Sequence, residues 1–271
     1  MIKDKKYLFF WLIVYIAAIL IHPYIQYQID LYVPYLTALI LIVLFFSVVL
    51  HELGHGLAAA LCGDDTALKA GRLTLNPVKH ISLFGTILLP VFLNLIHAQI
   101  ILGWAKPVPF NSVQLKKYPR DQVIVAAAGP VTNLLLAYIF FNGYIVSALV
   151  FQKIHPEITV DFAENIFNPL VQNPALFSSS FWFVSLSLLS TGIFINVLLA
   201  IFNLIPVPPL DGFWLLKTSL PGKLRIKLGS FHMIGIVIFF LLIYFKLIEY
   251  FVYPVTILQS GLRSLTRLIL G

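Results

Sequence analysis

Five separate blocks of this sequence are each apolar over about the length that a helix needs to cross the hydrocarbon core of a bilayer, roughly 20 residues. They cover residues 7–22, 36–62, 123–151, 181–205 and 231–253. A chain so built cannot close a single water-soluble core, and its composition agrees. It is 60% hydrophobic and 11% charged, with a mean hydropathy of +0.94, where a soluble domain carries roughly a quarter of its residues charged. The expected fold class is an all-α polytopic membrane protein with five to six transmembrane helices, one domain over residues 1–271, partnered by the lipid bilayer.

The net charge of +7 is explained by topology. The Lys and Arg residues lie between apolar blocks, where cytoplasmic loops carry them, so no nucleic-acid partner is expected. The start MIKDKK and the apolar run from Tyr7 to Ile21 resemble a signal peptide, but His22, Pro23 and Tyr24 follow in place of a small-residue cleavage site. A retained first helix is expected. The single cysteine, Cys62, excludes an intrachain disulfide and a cysteine-rich metal site.

Lys3, Lys5 and Lys6 precede the first block, while the loop from His22 to Pro34 has no Lys or Arg, which places the N-terminus in the cytoplasm. Further basic loops hold Lys69, Arg72 and Lys79, then Lys116, Lys117 and Arg120, then Lys217, Lys223, Arg225 and Lys227. All fall inside only if a sixth block, residues 81–103, enters and leaves on one side as a re-entrant hairpin; the alternative is a sixth plain span. That block contains Pro90, Asn94, His97 and Gln99. Irregular backbone at membrane depth needs protein or a water-filled cavity to satisfy its polar groups, so a re-entrant segment implies a cavity nearby. The stretch from Val255 to Leu270 spaces Ile257, Leu258, Leu262, Leu265 and Ile269 along one helical stripe, with Arg263 and Arg267 off it, and reads as a C-terminal amphipathic helix at the interface.

The chemistry concentrates at the end of the second block, in HELGH. His51 and His55 lie four apart and project from one face of a helix, where two imidazoles can share a Zn²⁺ ion. Glu52 can reach a metal-bound water as general base without being a ligand. Hydrolytic zinc takes three protein ligands and keeps one position open, and among the eleven acidic residues Asp211 fits best. It follows a proline run, Pro206, Pro208 and Pro209, that stops the fourth helix, and Gly212 lets the chain turn. The re-entrant topology puts Asp211 on the same side as the histidines, whereas a plain sixth span would separate them. Asn133, one turn inside the third block beyond Gly129 and Pro130, is open to two readings: interhelical glue, or a donor to the scissile carbonyl. His22, His80, His97, His155 and His232 have no partner at ligand spacing and read as structural or interfacial; of them only His97 is a candidate for a water or proton path.

HELGH at 51–55, GPVTN at 129–133 and NLIPVPPLDG at 203–212 together resemble the site-2 protease family of intramembrane zinc metalloproteases, peptidase family M50. NPVKHISLFGTILLP at 76–90 and GWAKPVPFN at 103–111 resemble its short bacterial and archaeal branch, in which no PDZ or CBS module is expected. The resemblance spans residues 36–220, the expected catalytic core. It implies one Zn²⁺ per chain held by His51, His55 and Asp211, Glu52 as the catalytic base, and substrate binding at Asn133. It also implies a re-entrant β-hairpin within 81–103, with Gly85 in its turn region, that holds unwound substrate as an added strand. The expected activity is endopeptidase cleavage within or beside transmembrane segments of protein substrates, in the cell membrane, with the active-site end cytoplasmic. Two other classes use the same residues: a zinc-binding membrane chaperone or scaffold without proteolysis, and a metal or proton transporter.

Overall fold

A computed structural model of the chain describes residues 5–25, 29–82, 106–158, 160–166, 180–230 and 248–270, with isolated positions at 88 and between 235 and 245. All regular structure among these residues is helical. In chain order the helices are α1 (Lys5–Ile25), α2 (Ile29–Leu61), the short turns α3 (Thr66–Lys69) and α4 (Pro77–His80), and α5 (Arg120–Ile154). After them come the one-turn α6 (Phe162–Asn165), α7 (Ser180–Asn203), α8 (Asp211–Ser219), α9 (Gly222–Ser230) and α10 (Ile248–Leu270). Three are long and apolar enough to cross a membrane, over Thr37–Leu61, Arg120–Ile154 and Phe181–Asn203, and these match three of the expected blocks. The block at 7–22 is a shorter apolar helix over Tyr7–His22, and the block at 231–253 lies largely outside the described residues.

The most extensive packing is between α5 and α7, followed by α2 against α5. Water is not there to drive helices together in a bilayer, so close approach of small residues matters. Gly192 of α7 lies against the Phe140 ring, Gly143 of α5 against Leu189, and Gly54 of α2 against Thr132 and the Ala128 carbonyl. A Cβ at Gly54 would overlap the Thr132 hydroxyl. The core between α5 and α7 contains Tyr144, Phe151, Phe183, Ile193 and Val197, capped at one end by Phe162 and Ile166.

At the other end of that core lies the connection from α2 to α5. Lys116 N–H donates to the Cys62 carbonyl at 3.1 Å, so the connection leaves and rejoins the bundle at the same end. The path of residues 83–105, including Gly85 and His97, lies outside the described residues apart from Leu88.

The C-terminal region differs from the expected division into a fifth span ending at 253 and a separate tail. Helix α10 runs without interruption from Ile248 to Leu270 and carries Pro254 inside it. Its buried residues include Val255 and Thr266, and Arg267 pairs with Glu164 of α6 at 2.5 Å, with Arg263 at 3.9 Å. Packing on the bundle and this pairing hold the helix together where its sequence pattern alone suggested a boundary. The arginines thus sit at the end of the bundle opposite HELGH.

Candidate metal centre

Helix α2 carries the HELGH residues on its last turns, where they face α5. His51 is buried, with Nδ1 2.5 Å from Oδ1 of Asn133. His55 Nδ1 lies 2.7 Å from the main-chain carbonyl of Val125. A carbonyl oxygen can only accept, so each Nδ1 carries a proton, and in the neutral ring each Nε2 is then left with a lone pair. The two Nε2 atoms are 3.1 Å apart, with the imidazole planes at 84°.

Asp211 completes the cluster. Helix α7 ends at Asn203, the chain passes through the proline run, and Asp211 opens α8. Its Oδ2 is 3.1 Å from His51 Nε2 and 3.2 Å from His55 Nε2. Gly212 was expected to serve a turn, but its role is close packing: a Cβ there would run into the carbonyls of Leu204 and Ile205 at the end of α7. The bare Cα lets α8 sit on that end and aims Asp211 into the bundle.

With both rings neutral, three lone pairs converge, an arrangement that repels itself unless a cation or a proton lies among them. Two imidazoles and a carboxylate are a donor set for a catalytic metal with an open position. Space is kept beside them by Gly129 of α5, where a Cβ would come within 2.6 Å of His51 Nε2 and closer still to His55 Nε2. The residues thus fit a metal ion. Among the described residues, His51, His55 and Asp211 are the only group of three or more His, Cys, Asp or Glu side chains placed to share one.

Glu52 is held from the other side. Its Oε2 accepts the main-chain N–H of Val108 at 2.8 Å. The loop around Val108 is itself anchored, because Lys106 N–H donates to the His80 carbonyl at 2.8 Å and the Arg72 guanidinium donates to the carbonyls of Lys106 and Pro107. His80 is buried, with Nε2 2.9 Å from the Thr74 carbonyl, and burial pushes its pKa down, so it serves this scaffold as a neutral ring.

Of the residues expected from sequence, the structure brings His51, His55, Asp211 and Asn133 into one cluster, with Glu52 next in chain to His51. Gly85 lies outside the described residues. Asn133 is fully buried and its amide is engaged on both sides, by His51 and by Asn196. Sequence reasoning missed Val108, Val125, Ser47 and Asn196, and took Gly129 only as a helix-approach residue. The first two act through main-chain atoms and leave no side-chain signature; Asn196 and Ser47 are lone polar residues inside apolar runs, the one available signal.

Comparison with known proteins identifies the family. A family model described as Peptidase family M50 matches residues 39–245. A Bacillus subtilis protein described as a candidate zinc metalloprotease, YwhC, is 35% identical over 245 residues, covering 90% of this chain and 94% of its own. A second, Rip2 of Mycolicibacterium smegmatis, with the same description, is 29% identical over 177 residues, 64% of this chain and 54% of its own. No solved structure matches. With the family match covering most of the chain and His51, His55 and Asp211 inside the matched region, the chain belongs to peptidase family M50, the site-2 protease family of membrane metalloproteases.

Proposed function

We propose that the chain is an intramembrane zinc endopeptidase that cleaves peptide bonds within or beside transmembrane segments of membrane proteins. The observation that carries this reading is the convergence of His51 Nε2, His55 Nε2 and Asp211 Oδ2 at 3.1–3.2 Å on the flank of a membrane helix, with Glu52 adjoining. The family relatives described as zinc metalloproteases support the choice of metal. His51, His55 and Asp211 would hold one Zn²⁺ per chain.

A zinc ion held there would supply Lewis-acid chemistry, polarising the scissile carbonyl and acidifying a nearby water. Glu52 would be the residue that accepts a proton from the attacking water and passes it to the leaving amine. The Val108 N–H keeps one carboxylate oxygen fixed, so the other is the one that moves the proton. Helical peptide bonds are shielded by their own hydrogen bonds, so substrate must unwind. Pairing of the unwound substrate as an extended strand against the protease would satisfy the freed backbone groups. Asn133 serves the centre by binding His51 rather than substrate, since both ends of its amide are already engaged.

The basic loops gather at the metal end of the bundle, which supports a cytoplasmic active site and N-terminus in the cell membrane. The test is reconstitution of the full chain with single-span substrates in proteoliposomes. Cleavage that stops on chelation and returns with added Zn²⁺ is the expected result; cleavage indifferent to chelation contradicts the proposal.

A further inference from the structure

Among the fully buried polar side chains that this chemistry leaves unassigned, two adjoin the site: Asn196 on α7 and Ser47 on α2. They are joined to the site by a chain of hydrogen bonds whose direction can be worked out from one end. The Gly192 carbonyl can only accept, and the Asn196 amide nitrogen lies 2.8 Å from it, so this end of the amide is NH₂. Its second hydrogen reaches Ser47 Oγ, also at 2.8 Å. The Asn196 oxygen is therefore the atom that faces Asn133, and it accepts from Asn133 Nδ2 at 2.8 Å. Asn133 must then turn its own oxygen to His51 Nδ1, which obliges that nitrogen to carry the ring proton.

The consequence reaches the metal site. An Asn133 amide turned the other way would donate to Nδ1, move the proton to Nε2, and block the ligand atom. Asn196 forbids that turn, because two amide oxygens would then face each other in a dry interior.

Resting on the zinc-site reading above, we propose that Asn196 is a positioning residue for the metal centre: acting through Asn133, it sets the tautomer of His51 so that Nε2 is free to bind zinc. Ser47 supports it by occupying the second amide hydrogen. No bond in this relay contacts substrate.

The test measures Zn²⁺ affinity by chelator competition, and the His51 tautomer by ¹⁵N NMR of the metal-free full chain. Removing the partner that orients a metal-ligating histidine lowers metal affinity roughly 10–100-fold, and that loss is expected for Asn196→Leu, with an Nε2–H population appearing at His51. The discriminating variant is Asn133→Asp. A carboxylate offers His51 an acceptor whichever way it turns, so Asn196→Leu placed on Asn133→Asp is expected to cost no more than a few-fold. A merely structural role for Asn196 predicts the same loss in both backgrounds, and that result overturns the proposal. So does a metal-free wild type whose His51 carries its proton on Nε2, which is read without any variant and decides the matter if Asn196→Leu does not fold. A wild type that binds no zinc contradicts the zinc-site reading itself; a wild type that binds zinc while Asn196→Leu matches it in affinity and tautomer contradicts this inference alone.

Discussion

The main-chain N–H of Val108 donates to Oε2 of Glu52 across 2.8 Å, tying the loop before α5 to the expected catalytic base on α2. The contact uses a backbone atom, so its function is separable from the valine side chain. Val108→Pro removes the donor and is expected to lower kcat about tenfold or more, since a hydrogen bond to a charged group contributes roughly 1.5–3 kcal/mol. Zinc content should stay unchanged. Val108→Ala keeps the N–H and loses only packing near Gly56, so its cleavage rate should remain within a few-fold of wild type. Steady-state cleavage and elemental analysis of both variants check this.

Gly129 leaves room beside the histidine pair, and Gly129→Ala places a methyl group against both Nε2 atoms. The expected outcome is purified, helical protein with zinc far below one per chain by elemental analysis. Gly54→Ala is the contrasting variant. It presses on Thr132 at the α2–α5 crossing and should cost roughly 1–3 kcal/mol of stability through overpacking, with zinc retained.

Asp64, just past the end of α2, accepts from the Thr66 N–H and hydroxyl and from the Asn111 N–H. Burial alone would raise its pKa, but these hydrogen bonds and the nearby Lys69 charge outweigh burial and hold the carboxyl below its ordinary value. A folded-state pKa below the unfolded one gives stability that is fully present above the unfolded value, about 3.9. It is lost as pH falls through the folded value. Asp64→Asn should therefore lower the thermal midpoint at pH 7, and the gap from wild type should narrow once the pH drops below about 4. Thermal unfolding in detergent at the two pH values measures it.

Much of the site was legible because its residue types are costly where they stand. Two histidines and a glutamate at the end of an apolar helix have few other reasons to be there, and Asp211 emerged by comparing the places of a short list of acids. Asn196 was not legible: an amide in an apolar run reads equally as helix glue, and its direction depends on how α2, α5 and α7 cross. Val108 and Val125 act through the main chain, which a sequence pattern does not encode. Gly212 showed that a glycine beside a proline run can serve close packing where a turn was expected. At the C-terminus the pattern suggested two segments, while contacts from Glu164 and the bundle make α10 one helix.

The central claim is that Glu52 is the base of a zinc-dependent hydrolysis, and the most direct measurement pairs wild type with Glu52→Gln, both purified as full chains. Zinc is counted by elemental analysis and cleavage is followed on a panel of single-span membrane substrates. The account predicts one zinc per chain in both proteins, with cleavage in wild type and a loss of at least about a hundredfold in the variant. Substantial cleavage by Glu52→Gln with its zinc in place would contradict it.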